Sequence, residues 1–184
     1  MTTRPEPGDP FLDLADQAAH DAAVRSRAER RERHERAVET GTWLGTLRDL
    51  AERRAVLVLH VRGGRPLRGH LLGLSSDHLV LATASGARAH LRLAAVRAAR
   101  PEPGRGAPPA SGDREAPSRA TVEDVLDMLA EERGSAALLL RDVVDPLRGR
   151  VEGIGEDVVT LRLEGADPAL VYLPTAAVDG VLIE

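Results

Sequence analysis

Ser75-Ser76-Asp77-His78 carries, in four consecutive positions, the side-chain types of a hydrolytic triad, and His60, His70, His78 and His90 fall close together in the chain. A nucleophile, its base and the group that orients the base must lie along one hydrogen-bonded line. Adjacent residues cannot do that, and no Gly-x-Ser-x-Gly elbow occurs. Turn formation accounts for the Ser-Ser-Asp run instead. The histidines lack paired carboxylates and the His-x-x-x-His spacing of a helical metal site, so no metal is expected. The glycines between positions 101 and 119 have neither the Lys nor the strand-to-helix setting of a phosphate loop. The chain is therefore read as no enzyme, without catalytic residues or cofactor.

A basic row remains. With period-two alternation Ala89, Leu91 and Leu93 face a core, which sets Arg88, His90 and Arg92 side by side on the opposite face, and Arg68 and His70 alternate likewise. Such a row can contact nucleic-acid phosphates, dock on an acidic surface, or be an ordinary solvated face. Charge is divided along the chain. Residues 41–100 hold ten Arg against Asp49, Glu52 and Asp77, a net +7, whereas residues 121–184 hold five Arg against fourteen acids, a net -9. Opposite halves of this kind point to a polyanionic partner for one half or to docking of one half on the other. Phe11, Trp43 and Tyr172 are the only aromatic residues, too few for the stacking platforms of single-strand binders.

The elements that position these residues come in duplicate. Pro66 to Leu81, PLRGHLLGLSSDHLVL, returns as Pro146 to Leu161, PLRGRVEGIGEDVVTL, with seven of sixteen positions identical. Leu50-Ala-Glu-Arg-Arg54 is echoed by Leu129-Ala-Glu-Glu-Arg133, and Ala94-Ala-Val96 by Ala176-Ala-Val178. Repetition on this scale means two copies of one supersecondary unit. Each copy opens on a helix: Thr42 caps Trp43, Leu44, Leu47 and Leu50, and Thr121 caps Val122, Val125, Leu126 and Leu129 with Asp124 at the capping-box position. Strands are predicted over Ala55–Val61, Pro66–Leu74, His78–Thr83 and Arg88–Leu93, with a last one near Arg97, and the second copy repeats them from Ser135 to Ile183. In that copy the outer positions equivalent to the basic row are Leu170 and Tyr172, a candidate protein interface.

Outside the copies, residues 1–9 read as a disordered tail and residues 10–40 as a charged helix whose first half carries Phe11, Leu12, Leu14 and Ala15 as an apolar stripe. Residues 101–120 form a linker, with five Pro and three Gly between Pro101 and Arg119. The longest apolar run, Ala55 to Leu59, is far short of a membrane span, the polar N-terminus lacks the apolar stretch of a signal peptide, and there is no Cys, so a cytoplasmic setting is expected. All 25 basic residues are Arg, and with abundant Ala and Gly this suggests a GC-rich bacterial genome.

A helix followed by VLVLHVRGGRPLRGHLLGLSSDHLVL resembles the first half of an Sm-like domain, in which an apolar strand, a Gly-containing turn, a second strand with Gly-x-Leu and an Asp before the third strand recur. The tandem arrangement also resembles an uncharacterised family of bacterial two-barrel proteins with a charged N-terminal helix. The resemblance covers residues 42–100 and, more weakly, 121–184. It implies strongly bent five-stranded sheets, edge-to-edge assembly and, in RNA-binding members, a uridine pocket. That pocket uses an Asn after the Asp and a basic residue with Gly before the last strand, and here no Asn exists and the second turns read Leu93-Ala94-Ala95 and Pro174-Thr175-Ala176.

The expected fold class is mainly β with α: two tandem Sm-like five-stranded small barrels, residues 41–100 (basic) and 121–184 (acidic), each preceded by a helix, plus a charged N-terminal helix. The expected function is a non-enzymatic interaction, scaffold or regulatory module that assembles with itself through barrel edges, with Leu170 and Tyr172 at the interface. The alternative is a nucleic-acid-binding protein using Arg68, Arg88, His90 and Arg92. No membrane partner is expected.

Overall fold

The fold is a computed structural model that describes residues 10–63, 66–102, 118–166 and 168–184, with side chains from residue 20 onward except 33, 34, 37 and 38. The N-terminal tail, the side chains of the first helix's apolar stripe at residues 11, 12, 14 and 15, and most of the linker lie outside what is described. Helix α1 spans Pro10–Glu39. From residue 20 onward its described side chains are largely exposed and joined along the surface by pairs such as Arg31–Glu35 at 2.9 Å and Glu32–Arg36 at 2.6 Å, each worth only a few tenths of a kcal/mol.

Each copy then builds the same series. Helix α2 (Trp43–Glu52) is capped by Thr42, whose hydroxyl accepts from Gly45 N–H at 3.0 Å. It is followed by β1 (Val56–Val61), β2 (Leu67–Leu74), β3 (His78–Thr83), β4 (Arg88–Arg92), one 3-10 turn at Leu93–Ala95, and β5 (Val96–Pro101). The second copy runs α3 (Val122–Glu132), β6 (Ser135–Leu140), β7 (Leu147–Ile154), β8 (Val158–Leu163), β9 (Leu170–Pro174), a second 3-10 turn at Thr175–Ala177, and β10 (Val178–Ile183). Thr121 and Asp124 form the expected capping box, with Asp124 Oδ2 accepting from Thr121 N–H at 2.7 Å.

Alternation buries one face of β1, β2 and β4, while β6 and β10 at the junction are buried on both faces. Leu57, Leu59, Leu71, Leu79, Leu81 and Leu91 pack with Leu47 and Leu50 of α2 into one core, and Leu138, Val151, Val159, Leu161 and Val181 pack with Val122, Leu126 and Leu129 of α3 into another. Gly69 and Gly149 occupy the same bend of the second strand, where a Cβ would run into the carbonyl of Ala82 or of Arg162 on the neighbouring strand. The bulges that follow, between Leu71 and Gly73 and between Val151 and Gly153, are also equivalent.

The strand order is β5-β1-β2-β3-β4-β10-β6-β7-β8-β9, a single ten-stranded antiparallel sheet that does not close. This corrects the expectation of two separate barrels. Each copy has its own core and bends around it, but β4 does not return to β5 of its own copy. It pairs with β10 of the other, in the register Leu91↔Gly180, His90↔Val181, Ala89↔Leu182 and Arg88↔Ile183. Unpaired main-chain groups on both strands are thereby satisfied across the junction. Gly180 permits the approach, because a Cβ there would lie 2.9 Å from the His90 carbonyl oxygen and 2.8 Å from Leu91 Cδ2.

Candidate functional site: the seam and the open edges

At the seam between the copies the polar residues of the first half are used structurally. Arg92, whose side chain is only 14% exposed, reaches three separate elements. Its Nε donates to Val178 O at 2.8 Å, Nη1 to both Asp77 carboxylate oxygens at 3.3 Å, and Nη2 to Glu123 Oε1. Asp77 also accepts from the first N–H of α3, Val122 N, at 2.9 Å, so the turn between β2 and β3 caps the helix of the other half. Burial works against the Arg92 charge, but the hydrogen bond and charge of Glu123, and then Asp77, outweigh it and hold the guanidinium pKa above its ordinary value.

His78 and His90 stand beside this group with ring centroids 5.4 Å apart and His90 Nδ1 3.4 Å from His78 Nε2. Burial lowers the pKa of both; for His78 the Asp77 charge partly opposes it, and for His90 the charges of His78 and Arg88 add to it. The Ser75 hydroxyl is buried and accepts from His78 N–H at 2.9 Å and Asp77 N–H at 3.2 Å, which makes it a turn former as the sequence implied. It also lies 3.0 Å from His78 Nδ1. No group of three or more metal-ligating side chains comes together among the described residues.

A second charged cluster was not foreseen. Asp179 in β10 is buried between Arg62 Nη1 at 3.6 Å and Arg141 Nε at 3.9 Å, while those two arginines cap equivalent carbonyls, Ala94 O at 3.0 Å and Ala176 O at 3.1 Å. Among the described residues Asp179 Oδ2, Arg62 Nε and Thr175 Oγ1 have no hydrogen-bond partner. The first copy carries Arg97 at the position of Asp179, and that charge reversal was the one legible signal.

The candidate phosphate contacts do not form one open row. Arg92 is committed to the seam, Arg68 is paired with Glu102, and His90 is half-buried against His78, which leaves Arg88 exposed on β4. Within the chain, Arg88 and Arg92 do not share a surface with Leu170 and Tyr172. The halves meet through β4 and β10, whereas Leu170 and Tyr172 lie on β9, at the far edge of the sheet and 42% and 67% exposed.

The two outer edges differ in chemistry. On β9 the bonds from Leu163 N to Ala169 O and from Thr175 N to Asp157 O turn the odd-numbered residues toward β8, so Leu170 and Tyr172 present their N–H and C=O groups outward. The strand reads Leu-Val-Tyr-Leu-Pro, with no charged side chain. On β5 the bond from Glu102 N to Val56 O turns Ala99 and Pro101 outward, and Pro101 has no N–H to offer. Arg97 and Arg100 are exposed on the same strand. Pro174 on β9 likewise has no N–H to offer, so the edges differ in charge: a basic edge resists strand addition, whereas an uncharged apolar one invites it.

No protein-family model, curated protein or solved structure matches the chain. No helix among the described residues is long and apolar enough to cross a membrane.

Proposed function

We propose that the protein is a non-catalytic interaction module that assembles with a second copy of itself along β9. The observation that carries this reading is the uncharged, exposed β9 edge with outward main-chain groups at Leu170 and Tyr172. Two antiparallel β9 strands related by a two-fold axis place Leu170 opposite Tyr172 twice, an isologous arrangement that satisfies both sets of amides. The blunted β5 edge limits growth in the other direction. A cytoplasmic location belongs to the same reading and fits a chain without Cys.

The mass of the native particle tests it. Because the two meeting halves are both acidic, association should tighten as salt screens their repulsion, and Leu170→Lys with Tyr172→Lys should weaken it by about tenfold or more, the effect of charge on an edge strand. Nucleic-acid binding, the second reading, predicts the opposite salt dependence and rests on fewer free cations, since Arg68 and Arg92 are already paired. A particle that stays monomeric at all concentrations and salt levels overturns the β9 reading.

A further inference from the structure

The duplication allows each position in one half to be compared with its counterpart, and at one place the halves diverge in a way that the β9 edge does not explain. In the second half, the faces of β7 and β8 carry an ion triad: Arg150 Nη2 and Arg162 Nε both donate to Glu152 Oε1, at 2.8 and 2.7 Å. Arg150 and Arg162 are cross-strand partners, as His70 and Ala82 are in the first half, and the bulge that carries Glu152 carries Leu72 there. The first half thus has an apolar residue in place of the bridging acid and a methyl group in place of the second Arg. What remains is a hollow of about 700 Å³ lined by Ala51, Arg53, Arg54, His70, Leu71, Leu72 and Ala82.

The lining is basic on one side, apolar on the other, and contains no carboxylate. Leu72 is one of the few large apolar side chains left exposed. The helix-end carbonyls nearby are already engaged: Arg53 N–H caps Ala51 O and Asp49 O, and His70 Nδ1 lies 3.3 Å from Arg54 O. Glu102, whose pKa is lowered mainly by its hydrogen bond from Arg68 and least by His70, is held by Arg68. The arginine side chains of the hollow therefore face an apolar floor with no acid of their own lining it, and the volume is in the range of small-molecule sites.

We infer that this hollow binds an amphiphilic carboxylate, with the head group on Arg53, Arg54 and His70 and the apolar body on Leu72 and Ala82. The ligand's carboxylate takes the part that Glu152 plays in the second half, and its tail covers the surface that Arg162 covers there. The site is separate from β9 and stands or falls independently of the assembly proposed above.

Octanoate is the probe, titrated into isotopically labelled full-length protein and followed by NMR. The expected result is saturable shifts confined to Arg53, Arg54, His70, Leu72 and Ala82, weaker at high salt because the arginines are exposed. Each buried methylene adds about threefold to fourfold in affinity, so butyrate should bind at least about tenfold more weakly than octanoate, and octylamine should not shift these resonances. The double variant Leu72→Glu, Ala82→Arg installs the second half's residues at their structural equivalents and should cut octanoate affinity at least about tenfold while the chain remains folded. If that variant melts out, Leu72→Gln with Arg53→Gln reads the same contrast. Shifts absent or confined elsewhere, equal binding of octylamine or butyrate, or octanoate affinity unchanged in the folded variant overturns the inference.

Discussion

Replacing Arg92 by Met removes the side chain that joins β4, the turn before β3, α3 and β10, while keeping its apolar stem in place. The loss can be worked from its partners. A hydrogen bond to a charged group is worth about 1.5 to 3 kcal/mol when buried. Here the Asp77 and Glu123 side chains are 28% and 40% exposed, so water recovers part of both interactions, and Asp77 keeps its bond from Val122 N–H. The Val178 carbonyl loses a donor at a buried position. Together these give about 2 to 3 kcal/mol, or about 5 to 10 °C in a chain of this length. Urea unfolding followed by circular dichroism measures it, with Arg88→Met as the control, because Arg88 lies on the same strand and exposed face. Arg92→Lys should fall between, since an ammonium cannot bridge three acceptors in one plane. A loss below about 0.5 kcal/mol, or one equal to that of Arg88→Met, refutes the view that Arg92 fastens the seam.

Gly180→Ala should destabilise the protein by about 1 to 3 kcal/mol because its Cβ meets the His90 carbonyl across the seam, whereas Gly153→Ala, with nothing within 4 Å, should change stability by under about 0.5 kcal/mol; thermal melting of both variants decides. Acid should loosen the same region. His78 and His90 have folded pKa values below the ordinary 6.5, so they favour the neutral form, and their contribution is complete above about pH 6.5 and is lost as pH falls through that value toward the lowered ones. Asp77 and Asp124 soften the loss, and Arg88 and Arg92 sharpen it. The urea midpoint should therefore drop between pH 7 and 5.5 and drop less in His90→Leu; a midpoint that rises on acidification, or an equal drop in both proteins, contradicts the assignment. Glu123, whose pKa stays low because the Arg92 hydrogen bond and charge outweigh burial, gives way only below about pH 4.5, a separate window.

Local chemistry made most of each copy legible. Thr42 and Thr121 cap the helices they were expected to cap, and the strand predicted over His78–Thr83 has those bounds. Gly69 and Gly149 sit at the same bend for the same steric reason. What periodicity could not supply was the pairing of edges. Whether β4 closes on β5 of its own copy or continues into β10 depends on main-chain groups that every strand carries, so the sequence pattern was compatible with two barrels although the chain forms one open sheet. The charge division was read as attraction between whole faces, but the seam uses a few placed groups: Arg92 with Asp77 and Glu123, and Asp179 between Arg62 and Arg141. The one residue type that pointed to a charged junction was Asp179, which stands where the first copy has Arg97. Leu170 and Tyr172 are exposed apolar residues, and their strand lies at the free edge and not at the junction between the halves.

Amide hydrogen exchange at Leu170 and Tyr172, measured across protein concentration, tests the assembly along β9 most directly, because these are the N–H groups that β9 turns toward the open side. The account predicts that both amides exchange freely in dilute protein and become protected as the particle grows, in step with its mass and more readily at higher salt. Amides that remain unprotected in a particle larger than one chain would place the contact elsewhere, and a particle that never exceeds one chain would contradict the assembly itself.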